Sequence, residues 1–110
     1  MDIAFRTRKL KKIFNSEKEL KKVYGNLAPT IQLRLAVLKN APTLSAVPTT
    51  RPERRHQLRG KLRGQYAVDI DPRYRLVFKP SHDPVPRRED GGIDTDSVTA
   101  ITIREITDYH

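Results

Sequence analysis

The sequence contains no cysteine and no long apolar run. The absence of cysteine excludes disulfide bonds, thiolate metal sites and cysteine nucleophiles. No apolar stretch is long enough to cross a bilayer, and the first residues lack the apolar core of a signal peptide. We therefore expect a cytoplasmic protein with no membrane partner.

Histidines are few, and their spacing does not favour a metal site. His56, His82 and His110 are far apart in the sequence, and no HExxH pattern or histidine–carboxylate cluster accompanies them. Structural and catalytic metal sites usually draw their ligands from such closely spaced groups. We expect neither a metal ion nor another cofactor.

What the chain has in excess is positive charge. Its 110 residues include 22 Lys and Arg against 13 Asp and Glu, which gives a formal net charge of +9. This balance favours a polyanionic partner, but RNA, DNA, an anionic membrane and an acidic protein would all be attracted. The length fits one modest core, so we expect a single domain over residues 1–110.

The first half of the chain has the apolar spacing of helices. A short apolar segment at 3–5 can form an entry strand, and helical periodicity follows over 7–24 with a break at the capping box Ser16 to Glu19. A further helix is predicted over 28–39, with Pro29 in its first turn. Residues 40–52 then form a connecting loop with one short helical turn.

The second half alternates with the period of strands. Residues 66–70 and 74–78 predict a hairpin joined by a turn at 71–73, and residues 98–106 predict a last strand. Residues 80–97 are rich in Pro, Gly, Asp and Arg, which predicts a flexible insertion. The order indicates an α+β domain in which N-terminal helices pack on a small antiparallel sheet.

The most basic segment surrounds His56. Residues 51–63 contain six cations in thirteen residues, with only Glu53 in opposition. Arginine can donate two parallel hydrogen bonds to phosphate oxygens, so the segment predicts a phosphate-binding patch. A charge run taken alone is more often a solvated surface.

The sequence ends on three side chains that can exchange protons, Asp108, Tyr109 and His110. RNA carries its own nucleophile, the 2′-hydroxyl. Cleavage therefore needs a group that removes its proton, a group that protonates the leaving 5′-oxygen, and cations for the charged transition state. Together with His56 and the arginines, this ending predicts an RNA-cleaving site. A terminal histidine taken alone is more often a frayed end.

Five segments, in this order, resemble motifs of one protein family. Arg8–Phe14 is similar to its N-terminal segment, and His56–Gly60 with Gly64–Tyr66 resembles its His-x-Leu-Lys-Gly and Gly-x-Trp. Arg73–Phe78 resembles its Trp-Arg-Ile-x-Phe strand, and Thr107–His110 resembles its closing Asp-Tyr-His. These motifs are typical of the HigB-type toxins of bacterial type II toxin–antitoxin systems, within the RelE/ParE-like superfamily.

The resemblance implies a fold, an activity and partners. It implies a compact RelE-like α+β domain that acts as a ribosome-dependent mRNA endoribonuclease and inhibits translation. The implied partners are the ribosome, mRNA and a small helix-turn-helix antitoxin of the HigA type.

The resemblance also implies the roles of single residues. The family's active-site histidine falls on His56, its phosphate-binding lysine on Arg59 and its strand arginine on Arg75. Its terminal acid–base cluster falls on Asp108, Tyr109 and His110. The roles within this set stay open: His110 or Asp108 is expected as the base, and His56 or Tyr109 as the proton donor.

Further cations of the same regions are expected to contact RNA. They are Arg54, Arg55, Lys61, Arg63 and Arg73. The chain departs from the family pattern at Arg59, where lysine is usual, and at Tyr66 and Tyr74, where tryptophan is common. Arginine keeps the charge at the first position but changes its geometry.

Two other classes of function remain open. A ParE-like inhibitor of DNA gyrase would act by binding and would need no acid–base cluster, so the Asp-Tyr-His ending argues against it. A non-catalytic module that binds RNA or protein would use His56 and the C-terminal residues only for structure.

Overall fold

The computed structural model describes residues 1–108, so the predicted catalytic residues Tyr109 and His110 lie outside the described residues. Helices occupy the first part of the chain and strands most of the rest. The elements are β1 (Asp2–Phe5), α1 (Arg8–Phe14), α2 (Glu17–Tyr24), α3 (Ala28–Asn40), β2 (His56–Gln57), β3 (Tyr66–Asp69), β4 (Tyr74–Pro80) and β5 (Ala100–Asp108). Short 3-10 turns lie at Gly25–Leu27, Leu44–Ala46, Gly60–Leu62 and Thr95–Ser97.

Side-chain caps define the two N-terminal helices. The Thr7 hydroxyl accepts a hydrogen bond from the backbone N–H of Leu10 at 3.1 Å and begins α1. The Ser16 hydroxyl accepts one from the N–H of Glu19 at 3.2 Å and begins α2. In each cap the hydroxyl oxygen accepts a hydrogen bond from a backbone N–H in the first turn, which has no acceptor within the helix. The predicted break at the capping box is confirmed, and α3 confirms the predicted third helix.

The five strands form one sheet in the order β1-β5-β4-β3-β2. β1 runs parallel to β5, and the other neighbouring strands are antiparallel. The hairpin of β3 and β4 follows the predicted positions, and β5 begins and ends two residues later than the strand predicted over 98–106. The alternation of apolar and polar residues predicts where a strand lies but not which strand it pairs with. The parallel pairing of β1 with β5 was therefore not predicted, and β2, with two residues, is too short to show an alternation.

The helices cover one face of the sheet. Phe14, Leu20, Ile31 and Leu38 of the helices join the main core with apolar strand residues. Those strand residues include Tyr66, Val68, Leu76, Phe78, Ile101 and Ile103. This arrangement confirms the predicted α+β class, with helices stacked on one side of the sheet.

The opposite face, which we call the open face, carries a smaller apolar cluster. Ala67 and Val77 lie on it and are covered by Leu58 and Leu62. Gly60 and Gly64 flank the covering turn with φ angles of 66° and 88°, a region that glycine enters at little cost. One end of the open face is therefore apolar and covered, and the other end carries charged side chains.

Residues 81–99 connect β4 to β5. Arg87 and Ile93 form an isolated antiparallel bridge, and Ile93 and Val98 are buried against the main core. The flexibility predicted for residues 80–97 stays a prediction. No helix within residues 1–108 is both long and apolar enough to span a membrane.

Candidate active site

The strand register places charged residues side by side on the open face. Asp69 of β3 pairs with Arg75 of β4, and Arg75 pairs with Thr107 of β5. Directly paired residues share a face of the sheet. Arg54 extends the row, because its guanidinium contacts the Asp69 carboxylate. We call Arg54, Asp69, Arg75 and Thr107 the charged row.

Arg54 is held by two hydrogen bonds. Its Nε donates to Asp69 Oδ2 at 2.6 Å, and its Nη2 donates to Asp69 Oδ1 at 3.0 Å. This two-pronged geometry fixes the plane of the guanidinium as well as its position. The backbone of Arg54 has a φ of 45°, in the left-handed region that non-glycine residues rarely adopt. The pairing with Asp69 helps to hold this conformation.

A buried arginine supports the row from the helical side. Arg34 of α3 is only 8% exposed. Its Nε donates to the backbone carbonyl of Asp69 at 2.6 Å, and its Nη1 lies 4.0 Å from Glu53 Oε2. The backbone N–H of Asp69 in turn donates to the Glu53 carbonyl at 2.8 Å. The helix layer thus fixes Asp69, and Asp69 fixes Arg54.

His56 lies beside the row and has a defined tautomer. Its Nδ1 is 2.8 Å from the carbonyl oxygen of Arg54. A carbonyl oxygen can only accept, so Nδ1 carries a proton and donates it. Nε2 is then the nitrogen that takes up and gives away the second proton. His56 can therefore act as a general acid or a general base through Nε2.

His56 and Arg75 share the open face. His56 pairs with Ala67 on β3, which is two residues from Asp69, the partner of Arg75. The strand spacing and the rise per residue put the Cα atoms of His56 and Arg75 about 12 Å apart. Both side chains stand on the same face of the sheet across this distance.

Asp108 ends β5 at the same end of the sheet as the charged row. It is half-buried and pairs with Tyr74, which packs on the main core, so the register puts Asp108 on the helical face, opposite the charged row. Val77 of β4 pairs with Glu105 of β5, and the next residue, Phe78, pairs with Ile103. The register therefore skips Arg104, which indicates a β-bulge. The extra residue lets Ile103 pack in the core while Thr107 lies on the open face. Predicted residues Tyr109 and His110 follow Asp108 but are outside the described residues.

Arg59 and Arg63 lie toward the other end of the open face. Together with His56 and Gly60 they line a cavity of about 480 Å³. Both arginines are exposed, and so is Lys61 between them. This cavity joins the predicted phosphate-binding arginine to the predicted active-site histidine.

Two predicted RNA contacts lie apart from this arrangement. The Nε of Arg55 donates to the Val47 carbonyl at 3.1 Å, and its guanidinium lies 5.9 Å from the centre of the Tyr66 ring, on the helical side of the strand. Burial lowers the pKa of Arg55. Arg73 is exposed in the turn before β4, where it stacks on the Tyr74 ring at 5.3 Å.

Sequence reasoning missed Asp69 and Arg34. Asp69 falls within the strand predicted over 66–70, where it is a charge between the apolar residues Val68 and Ile70. Arg34 stands on the stripe formed by Ile31, Leu35 and Leu38, which is the face that α3 buries. A charged residue on a buried stripe indicates a specific partner, because an unpaired buried charge is costly. That signal was present in the sequence.

In the described part of the chain, no three histidine, aspartate or glutamate side chains form a group that could hold a metal ion.

Comparison with known proteins gives a family and a fold. Residues 3–86 match the model of a family described as HigB-like toxin, the RelE-like toxin HigB of type II toxin–antitoxin systems. The match includes His56, Arg59 and Arg75 and stops before β5. No curated protein sequence matches the chain.

A solved structure supports the same fold. A YoeB/ParE toxin from Agrobacterium tumefaciens superposes with a TM-score of 0.58 at 11% sequence identity, over 100% of both chains. At that identity the likeness concerns the fold alone.

Proposed function

Because the chain belongs to the HigB-like toxins, which are RelE-like toxins of type II toxin–antitoxin systems, we propose that it cuts messenger RNA on the ribosome and so stops translation. The observation that carries the proposal is the shared location of His56, Arg54 and Arg75 on the open face. A proton-exchanging histidine beside fixed arginines suits a phosphodiester substrate.

The proposed reaction uses the 2′-hydroxyl of the RNA as nucleophile. Its oxygen loses a proton and attacks the adjacent phosphorus, while the bond from phosphorus to the 5′-oxygen breaks and that oxygen gains a proton. The products are a 2′,3′-cyclic phosphate and a free 5′-hydroxyl. The enzyme must move two protons and stabilise the negative charge that gathers on the phosphate.

His56 is proposed to protonate the leaving 5′-oxygen through Nε2. The Arg54 carbonyl holds its Nδ1, which sets both the tautomer and the direction of the ring. Asp108 or His110 is proposed as the base at the 2′-hydroxyl, and Tyr109 as a second proton donor. Asp108 ends β5 next to the Thr107–Arg75 pair, although its pairing with Tyr74 puts it on the helical face of the sheet.

Arginines are proposed to hold the phosphate. Arg75 enters from the centre of the charged row, and Arg59 enters from the cavity beside His56. Lys61 and Arg63 are proposed to contact neighbouring phosphates, since both are exposed beside the cavity. Arg73, exposed in the turn before β4, is proposed to contact RNA farther from His56. Arg54 and Asp69 act as positioning residues for His56, and we assign Arg55 to the support of Tyr66.

The partners follow from the family and from the proposed reaction. A type II toxin has a cognate antitoxin, and we propose that it is a helix-turn-helix protein. The ribosome and mRNA are the proposed targets, which would place the activity in the cytoplasm.

The test is transcript cleavage by purified protein with and without translating ribosomes. Cleavage only with ribosomes, at ends that carry a cyclic phosphate, is the expected result. Intact mRNA in both reactions would sink the proposal. A parallel gyrase supercoiling assay tests the alternative of a gyrase inhibitor, and we expect supercoiling to be unchanged.

A further inference from the structure

The strand β1 forms one edge of the sheet. Within residues 1–108, β5 lies on one side of β1 and no strand lies on the other. The N–H groups of Asp2 and Arg6 donate to carbonyl oxygens on the β5 side, at 3.0 and 2.8 Å. Successive residues of a strand direct their backbone groups to opposite sides. The N–H and C=O groups of Ile3 and Phe5 therefore point away from β5.

The outer side of β1 borders a cavity of about 320 Å³, which residues of β1, α1 and α3 line together. The strand contains no proline, and its pairing with β5 is regular, without a bulge. Proline and bulges are common ways of protecting an edge from further pairing. The edge of β1 is therefore a template on which another strand can add.

The sequence of this edge is complementary to itself when two copies run antiparallel. The segment Asp2–Arg6 has opposite charges at its two ends, an apolar residue inside each end and Ala4 at its centre. If Ala4 lies opposite the same residue of a second copy, Asp2 faces Arg6 and Ile3 faces Phe5. Opposite charges and apolar side chains in such directly facing positions stabilise a sheet.

The hydrogen-bonding register agrees with this alignment. In an antiparallel sheet, the two residues of a hydrogen-bonded pair exchange both of their backbone bonds. Ile3 and Phe5 have the outward backbone groups, and the alignment sets them opposite each other. A shift by one residue would set Ile3 opposite Ala4, whose N–H and C=O point toward β5.

The pairing also preserves the two faces of the sheet. Ile3 and Phe5 are half-buried and pack on the main core, so their pairing extends the apolar helical face. Asp2, Ala4 and Arg6 alternate with them and are exposed. The two-fold axis runs perpendicular to the sheet, so both open faces point in the same direction. Strand β2, which carries the histidine of the candidate site, lies at the far edge of each copy.

We propose that β1 pairs with β1 of a second copy of this chain, which joins two sheets edge to edge in a symmetric dimer. Such a contact uses the same residues on both sides. The net charge of +9 on each copy opposes association, but charges more than about 8 Å apart are largely screened at physiological salt. An unrelated strand could use the same backbone groups, whereas the opposite charges at equal distances from Ala4 match a second copy.

The test uses an introduced thiol, because the chain has no cysteine of its own. In the proposed dimer the Cα atoms of the two Ala4 residues are about 4.5 Å apart, within the range of a disulfide. The Ala4→Cys variant is therefore expected to form an intermolecular disulfide under mild oxidation. The control is Asp2→Cys, which places an exposed thiol on the same strand but roughly 14 Å from its mate. It should cross-link only at the slower rate of random collision.

A charge exchange tests the alignment. In the Ala4→Cys chain, the further change Asp2→Arg sets two arginines opposite each other at both ends of the contact. We expect the initial rate of disulfide formation to fall by about tenfold, since attraction becomes repulsion at both ends. Adding Arg6→Asp restores opposite charges and should return the rate to within about twofold of the starting value. Circular dichroism checks that each variant folds.

Equal cross-linking rates for Ala4→Cys and Asp2→Cys would overturn the inference, and so would a charge exchange that restores nothing. A third result would do the same: a thiol in Ala4→Cys that stays unlinked in the free chain and resists alkylation only when antitoxin is bound. The edge would then accept a strand of the antitoxin. None of these outcomes depends on whether the chain cleaves mRNA, so this inference and the proposed function fail separately.

Discussion

The arginines near His56 and the lysines of α1 and α2 carry the same charge in different settings. Arg34 and Arg54 donate hydrogen bonds to defined oxygens of Asp69, at 2.6 to 3.0 Å. The lysines extend from exposed helix faces, and the one ion pair among them within residues 1–108 is solvent-exposed. Arginines fixed in this way can hold His56 in place, whereas exposed lysines attract phosphates without orienting them. The contrast separates a region for chemistry from a region for binding.

The largest effect is expected at the centre of the arginine region. His56→Gln removes proton exchange at Nε2 but keeps a polar side chain of similar reach. We expect the single-turnover rate of mRNA cleavage to fall by about 100-fold or more, the usual contribution of a general acid or base. The control is His82→Gln, because His82 accepts a hydrogen bond from the Thr99 N–H in the β4–β5 connection. A similar loss in both variants would contradict the assignment of His56.

The next effect concerns stability. Arg34→Met leaves the Asp69 carbonyl and the Glu53 carboxylate without their buried donor. We expect the free energy of unfolding to fall by about 2–3 kcal/mol, as when one partner of a buried polar contact is removed. Urea denaturation measures it.

Lys12→Met is the matched control on α1. Because Lys12 is exposed, its replacement should change stability by less than about 0.5 kcal/mol. Equal losses in the two variants would remove the contrast between a fixed and a mobile cation.

A smaller effect tests the coupling of Arg54 to Asp69. The variants Arg54→Gln, Asp69→Asn and the double variant form a thermodynamic cycle. We expect a coupling energy of about 1 kcal/mol or less, because the Arg54 side chain is 42% exposed and solvent screens the pair. Cleavage should fall in both single variants, with little further loss in the double variant. Additive losses would mean that the two residues act separately.

The smallest effect is a pH dependence at Tyr66. Burial raises the pKa of Tyr66, and the positive charges of Arg55, Arg88 and Arg87 oppose this rise. The neutral phenol is thus favoured in the folded state. Its contribution to stability is complete below the unfolded pKa of about 10 and is lost as pH rises through the folded pKa. Above pH 10 the unsubstituted protein should lose stability faster than Tyr66→Phe, and parallel unfolding curves would contradict this.

Much of the fold could be predicted because its signals are local. The caps at Thr7 and Ser16, Pro29 in the first turn of α3 and the alternation through the β3–β4 hairpin each depend on a few neighbouring residues. The parallel pairing of β1 with β5 depends on residues about 100 positions apart in the sequence, as in Asp2 with Ala100. The bulge at Arg104 changes which side chains of β5 face the core. Neither feature has a local signal.

The candidate site divides in the same way. His56, Arg59 and Arg75 were predicted from motifs, and they lie on or beside the open face. Asp69 was missed because its role depends on the strand register and on contacts from α3 and residue 54. Arg55 was expected to contact RNA, but its side chain lies on the helical side of the sheet beside Tyr66, because the next residue, His56, lies on the open face. Adjacent residues in an extended segment point to opposite sides.

The separation of chemistry from binding is tested most directly by single-turnover cleavage on translating ribosomes over a range of protein concentrations. His56→Gln should bind with the original affinity and cut about 100-fold more slowly, or slower still, even at saturation. The variant with Lys12→Gln, Lys18→Gln and Lys22→Gln should reach the original cleavage rate but need more protein to do so. The opposite pattern, with His56→Gln cutting at the original rate at saturation or the lysine variant failing to cut when bound, would contradict the assignment of the two regions.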